Sequence, residues 1–118
     1  MSSTLHIAVG QETGNVPVSV LYLKGSLDAN TSGELESKAN ELIGNGSTNL
    51  LIDLNGLDYM GSAGLRAFNA ISHKLKDNGS GEMKLLNPSK PVSKVIKTLG
   101  FTDYFDIHDD LDSAVNSF

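Results

Sequence analysis

The stretch that decides the fold is LLIDLNGLDYMGSAGLR, residues 50–66. Its first five residues are nearly continuous in apolar side chains, which is typical of a strand that is covered or paired on most sides. After a short connection, four small residues, 61–64, lead into a pattern with apolar residues at helical spacing over 63–76. A strand followed so closely by a helix predicts an α/β unit with parallel strands.

The rest of the chain continues this alternation in both directions. Short apolar or alternating runs predict strands at 4–9, 18–24, 50–54 and 83–86, with a further short strand at 104–107. Gly14 and Asn15 supply a turn between the first two strands, which should therefore form an antiparallel hairpin. Helical periodicity predicts helices at about 32–43, 63–76 and 90–99, and a shorter one from Asp109 or Asp110. We expect a mixed β-sheet with helices packed mainly on one face, because one side of the second strand mixes apolar and polar residues.

The helix ends carry recognisable signals. Thr31 and Glu34 match the S/T-x-x-E pattern, which predicts a capping box at the start of the first helix. Glycines follow the first and third helices at residues 44–46 and at Gly100, where a left-handed conformation ends a helix.

Composition limits the function classes. The chain has 118 residues, a net charge of -5 and no cysteine, so we expect one domain, 1–118, without disulfides or thiolate chemistry. An acidic balance argues against general nucleic-acid binding, which needs a basic surface. The N-terminus lacks the pattern of a signal peptide, and no apolar run is long enough to span a bilayer. We therefore predict a cytoplasmic protein without membrane insertion.

Ser62 is the residue best placed for regulation. It lies where the chain turns into the second helix, which predicts an N-cap role for its hydroxyl. The positive end of a helix also suits an anion, so a phosphate on Ser62 would be tolerated there. From the residues alone, a simple N-cap serine remains the more economical interpretation.

Enzymatic chemistry has little support in the sequence. Gly61, Ser62 and Gly64 do not match the G-x-S-x-G elbow, and no phosphate-binding loop motif is present. No pattern brings a histidine to Ser62, and the aspartates at 103–112 lack the spacing of a calcium loop. Asp53 and Asp58 are best interpreted as carboxylates that bind nearby backbone N–H groups, with a role in positioning the surroundings of Ser62 as the alternative. We predict a non-enzyme without metal or cofactor.

Three segments carry a family resemblance. Residues 23–31, LKGSLDANT, resemble the G-x-L-D-x-x-T segment that opens STAS domains, and residues 53–65, DLNGLDYMGSAGL, resemble the central STAS segment around a phosphorylated serine. Residues 87–105 match the closing pattern through Asn87-Pro88-Ser89, the apolar residues of the third helix, Leu99-Gly100-Phe101 and Phe105. The resemblance covers almost the whole chain, in order, and implies a STAS fold of the anti-sigma factor antagonist type.

The resemblance also implies a mechanism. Ser62 would be phosphorylated by an anti-sigma factor that is itself a serine kinase, and a PP2C-type phosphatase would restore the serine. The unphosphorylated form would bind the kinase and free a sigma factor. The partner-binding residues implied are Asp28, Thr31, Tyr59, Met60, Gly61, Ala63, Gly64, Arg66 and Asn69.

The residue before Ser62 keeps an alternative to the phosphorylation switch open. Many antagonists have aspartate or serine directly before the phosphorylated serine, and this chain has Gly61 there. A STAS domain can also serve as a constitutive, unphosphorylated subunit of an ABC-type lipid transport or signalling complex.

Overall fold

A computed structural model describes residues 4–118. The element order is β1 Leu5–Thr13, β2 Pro17–Leu27, α1 Ser32–Gly44, β3 Asn49–Met60, α2 Ser62–Asp77, β4 Glu82–Leu86, α3 Lys90–Thr98, β5 Ile107–His108 and α4 Leu111–Asn116. The sheet order is β1-β2-β3-β4-β5; β1 and β2 are antiparallel, and the remaining neighbours are parallel. The predicted mixed sheet, hairpin and strand–helix alternation are confirmed.

The larger core lies between the sheet and helices α1, α2 and α3. Leu50, Ile52 and Leu54 of β3 face this core, whereas Leu51 points to the opposite face. There α4 covers a smaller cluster of Val18, Val20, Leu51 and Leu86 with Ala114 and Val115. The helices therefore pack mainly on one face, as predicted, but α4 also closes the centre of the other face. This second layer explains why the β3 run is almost continuously apolar.

Several boundaries differ from the sequence predictions. The first three strands are longer than predicted, because the hairpin and the parallel β2–β3 pair extend hydrogen bonding into polar residues. The predicted strand at 104–107 is wrong in its bounds: only Ile107 and His108 pair with β4. Phe105 turns instead into the larger core, where it is 8% exposed.

The predicted capping box at α1 is also wrong. The hydroxyl of Thr31 makes no cap bond to the helix. It donates to the carbonyl of Ser26 at 2.9 Å and accepts from the N–H of Asp28 at 3.0 Å. Thr31 is therefore used to close the loop between β2 and α1. By contrast, Asp110 caps α4 as expected, accepting from the N–H of Ser113 at 2.9 Å.

A buried lysine of β4, Lys84, connects Ser117 and Phe118 to the sheet. The ammonium of Lys84, whose side chain is 7% exposed, lies 2.9 Å from an Asp106 carboxylate oxygen and donates to the Ser117 carbonyl at 3.0 Å. It also lies 5.0 Å from the ring centre of Phe118. His108 lies 3.0 Å from the other carboxylate oxygen of Asp106. Sequence patterning does not identify this cluster, because its members come from three separate segments.

The cluster predicts a component of acid sensitivity. Burial would raise the pKa of Asp106, but the hydrogen bonds and charges of Lys84 and His108 outweigh burial and lower the pKa below its ordinary value of 3.8. The stabilisation is therefore complete above the ordinary pKa and is lost as the pH falls through the lowered pKa of the folded state. We expect Asp106→Asn to lose less free energy of unfolding than wild type between about pH 6 and about pH 3 in urea titrations. Parallel curves for the two proteins would contradict this assignment.

Candidate functional site around Ser62

The segment before Ser62 is positioned by the ends of two parallel strands. Ser26 and Leu27 of β2 pair with Tyr59 and Met60 of β3. The N–H of Gly61 then donates to the carbonyl of Leu27 at 2.9 Å. The carboxyl ends of β2 and β3 therefore lie side by side, and α2 starts next to them with Ser62.

Ser62 is the first residue of α2, and the N-cap is Gly61. The predicted N-cap role for Ser62 is therefore wrong. Strand β3 extends to Met60, which is 1% exposed, so Gly61 is the single residue between the end of β3 and the first residue of α2. Gly61 has extended backbone angles, φ -98° and ψ 178°, and no side chain to cap the helix. Ser62 is exposed, and within residues 4–118 its hydroxyl has no protein hydrogen-bond partner.

The start of α2 packs closely against the sheet. A Cβ placed on Gly64 would lie 2.7 Å from Cγ of Met60 and 3.0 Å from Cδ2 of Leu27. The helix can approach the strands this closely because Gly64 has no side chain. Ser62 is therefore exposed on a turn of helix that packs directly against the sheet.

The Tyr59 side chain covers Gly61. A Cβ on Gly61 would lie 3.2 Å from the hydroxyl oxygen of Tyr59. The Tyr59 side chain is 53% exposed, and its hydroxyl lies near Gly61, the residue before Ser62. The absence of a side chain at Gly61 thus leaves space that the tyrosine occupies.

The loop after β2 is adjacent to this segment through Leu27. A carboxylate oxygen of Asp28 accepts from the N–H of Asn30 at 2.9 Å, which orders the loop. Thr31 is 1% exposed, so it supports the loop rather than the surface.

The residues that the resemblance implies for partner binding fall into two groups. Exposed or half-buried members are Asp28, Tyr59, Gly61, Arg66 and Asn69. Buried members are Thr31, Met60, Ala63 and Gly64. Tyr59 to Arg66 lie at the start of α2, Asn69 lies about two turns along the same helix, and Asp28 and Thr31 lie in the loop after β2. The members of the first group are accessible on the surface, whereas those of the second group are not.

A groove beside Ser62 was not predicted from the sequence. It measures about 640 Å³ and is lined by Ser62, Leu65, Arg66, Asn69, Ala70, Leu99, Phe101 and Tyr104. The hydroxyl of Tyr104 donates to the side-chain oxygen of Asn69 at 2.7 Å, which holds the Tyr104 ring over α2. Leu99, expected in the core, is 46% exposed because α3 ends before it.

The exposed apolar residues concentrate near this groove. Within residues 4–118, the large hydrophobic side chains that remain exposed are Val9, Tyr59, Leu99 and Tyr104. Leu99 and Tyr104 line the groove together with Ser62, and the Tyr59 hydroxyl lies near Gly61, the residue before Ser62. Large exposed apolar side chains gathered in one place are typical of protein-binding surfaces. The aromatic cluster at residues 101–105 was the available sequence signal for this surface.

Other candidate groups lie elsewhere. His73 lies further along α2 in a separate depression with Lys76 and Glu82, and His108 is bound to Asp106. Asp53 accepts from the backbone N–H of Asn55 at 2.9 Å, as its interpretation as a local backbone ligand predicts. In the part of the chain that the structure describes, no cluster of three or more potential metal ligands occurs. Within the same residues, no helix is long and apolar enough to cross a membrane.

The fold and the exposed serine at a helix start define a small α/β domain. Its candidate binding surface lies where the parallel strands β2 and β3 end. The STAS domain family matches residues 9–114 of this chain. The chain belongs to the STAS domain family.

Individual relatives agree with this assignment. The anti-sigma-F factor antagonist RsfB of Mycobacterium tuberculosis is 36% identical over 58 residues, a segment that spans 49% of this chain and 48% of RsfB. An anti-sigma factor antagonist from Mycobacterium paratuberculosis has a similar structure, with a TM-score of 0.82 and 24% identity over 97% of this chain and 93% of that one. SpoIIAA in its unphosphorylated form has a TM-score of 0.73 and 23% identity over 93% and 95% of the two chains. These two structural similarities establish the shared fold.

Proposed function

We propose that this chain is an anti-sigma factor antagonist whose binding is switched by phosphorylation of Ser62. In the unphosphorylated state it sequesters an anti-sigma factor with serine-kinase activity and so frees a sigma factor. Phosphorylation releases the partner, and a PP2C-type phosphatase restores binding. The observation that carries the proposal is the position of Ser62, exposed on a closely packed helix start and bordered by exposed apolar side chains.

The physical basis is the contrast between the free and the bound protein. In the free protein a phosphate on Ser62 is compatible with the fold, because Ser62 is exposed and the helix start favours an anion. In a closed interface the same phosphate adds about -1.5 to -2 charges that must be desolvated. Phosphorylation therefore disfavours the complex without unfolding the domain.

The comparisons support the proposal at two levels. RsfB is named as an antagonist of an anti-sigma factor, and SpoIIAA has been solved in both unphosphorylated and phosphorylated forms. We infer that this chain is a cytoplasmic binding regulator without catalytic activity or cofactor, and that it binds neither nucleic acid nor the membrane interior.

A second candidate function is a constitutive STAS subunit of an ABC-type lipid transport or signalling complex. The observation that favours it is Gly61, which departs from the usual aspartate or serine and is covered by Tyr59. In that case the surface around Ser62 would bind permanently to an ATPase or transporter subunit.

A pull-down from native lysate separates the two candidates. Wild-type bait is incubated with and without ATP, its partners are identified by mass spectrometry, and phosphate is mapped on the recovered bait. The switch predicts an anti-sigma factor of the serine-kinase class, released with ATP as phosphate appears on Ser62. An ATPase or transporter subunit held equally under both conditions, with Ser62 unmodified, would contradict it.

The groove predicts a specific contribution from Leu99. We expect Leu99→Ser to weaken partner binding about 5- to 30-fold, because truncating an exposed apolar anchor at an interface costs about 1–2 kcal/mol. Isothermal titration calorimetry with the captured partner measures the change. Since Leu99 is 46% exposed, the thermal midpoint should change little, which separates binding from stability. Unchanged affinity would exclude the groove from the interface.

A further inference from the structure

Strand β1 forms one edge of the sheet, and among residues 4–118 no strand pairs with the backbone groups on its outer side. Its pairing with β2 is continuous from Leu5–Gly25 to Thr13–Pro17. The N–H of Ser26 donates to the carbonyl of Thr4 at 2.9 Å, so even-numbered residues of this strand bond to β2. In an antiparallel ladder the intervening residues point their N–H and C=O groups the other way. The outward set is Leu5, Ile7, Val9, Gln11 and Thr13.

This edge lacks the features that usually protect an edge strand. β1 is nine residues long and contains no proline and no lysine, and its register with β2 shows no bulge. The opposite edge, β5, has two residues. A long, regular and almost uncharged edge is a template for pairing with another strand.

Apolar side chains accompany the open backbone. Ile7 and Val9 lie on the face of the sheet that carries the larger core, since they pair with Leu23 and Leu21 of that core. Ile7 is half-buried, and Val9 remains 41% exposed. Val9 is also the central residue of β1.

We propose that β1 pairs antiparallel with β1 of a second copy of this chain, about a two-fold axis at Val9. In this register Val9 faces Val9, Ile7 faces Gln11 and Leu5 faces Thr13 of the second copy. All nine residues then pair, with about ten main-chain hydrogen bonds. The two sheets join into one continuous sheet, and the exposed Val9 side chains cover each other.

Side-chain complementarity favours a second copy in this register, because the His6 imidazole can donate an N–H to the Glu12 carboxylate. The titratable residues of β1 are His6 and Glu12, both on the face opposite the larger core. In the proposed register each Glu12 lies opposite His6 of the other copy. A slip by two residues in either direction separates these pairs and leaves strand ends unpaired. A slip by one residue is excluded because it would direct the bonding groups of one strand away from the other.

The pairing leaves the Ser62 surface free. The groove residues lie on α2 and in the 99–104 segment, and none lies on β1. Dimerisation is therefore independent of the proposed function, and either can fail without the other.

Cysteine cross-linking tests the register directly, because the natural chain has no cysteine. Val9→Cys should form a disulfide-linked dimer on mild oxidation, since directly opposed residues have Cα atoms about 5.5 Å apart. Gln11→Cys is the matched control on the same strand and face. Its two thiols would lie about 14 Å apart along the strands and should not link. Equal cross-linking of both variants, or of neither, would overturn the proposed register.

Sedimentation velocity tests the association itself. The wild-type protein should sediment as a dimer at high micromolar concentration. Val9→Lys should be monomeric, because two lysines would meet at the axis. Circular dichroism confirms that the variant is folded. A wild-type monomer up to millimolar concentration, or a dimer that persists in Val9→Lys, would overturn the proposal.

Discussion

Ser62→Asp is expected to weaken partner binding by about 100-fold or more, whereas Ser62→Ala should bind like the wild type. The reason is that Ser62 lies among exposed side chains that a partner would cover. Leaving a carboxylate uncompensated in a closed interface costs about 3 kcal/mol or more. The hydroxyl itself has no protein partner within residues 4–118, so removing it costs little. Calorimetric titration of the captured partner measures all three proteins.

Two controls separate charge from size and position. Ser62→Asn has nearly the volume of the aspartate variant without its charge, so it should retain most of the affinity. Ser37→Asp introduces the same charge at an exposed serine of α1 and should bind like the wild type. If the asparagine and aspartate variants lose affinity equally, shape rather than charge governs the interface and the phosphorylation switch loses its physical basis.

Phe68→Ala is expected to lower the free energy of unfolding by about 3–5 kcal/mol. Phe68 is fully buried at the centre of the larger core, and its ring meets Phe105 edge to face with centroids 5.9 Å apart. Removing the ring leaves a cavity bounded by a helix and a sheet, which cannot close around it. Because natural domains have about 5–15 kcal/mol of stability, this loss is a large fraction of the total. Urea unfolding followed by circular dichroism measures it.

Tyr104→Ala provides the matched control from the same aromatic cluster. Tyr104 is 59% exposed and packs edge to face against Phe105. Its loss should cost less than about 1.5 kcal/mol, because most of its ring already contacts water. If the two variants were equally destabilised, Phe68 would not be the central residue of the core.

Local patterns in the chain were sufficient for most of the architecture. Apolar periodicity identified the central strands and the four helices, because alternation with period 2 or 3.6 reports directly which face is buried. Gly14 and Asn15 identified the hairpin, and Asp110 identified the start of α4. The small residues 61–64 located the segment around Ser62, since a helix can start close to a strand only where side chains are small.

The details of the site depended on contacts between distant residues. Ser62 became the first helical residue because Met60 is drawn into the core and Gly61 bonds to Leu27 on another strand. Thr31 does not cap α1 as predicted, because its hydroxyl donates a hydrogen bond to the backbone carbonyl of Ser26 instead. Neither competition is visible in the local sequence.

The sequence by itself therefore determined the class of fold, the order of the elements and the segment that carries Ser62. Only the tertiary structure decided which surface adjoins Ser62, since Leu99 and Tyr104 reach it from a separate segment. It also decided that α4 covers the second face and that Lys84 is buried with Asp106. The physical reason is that periodicity encodes burial along one element, whereas grooves and buried ion pairs arise when elements far apart in the chain pack together.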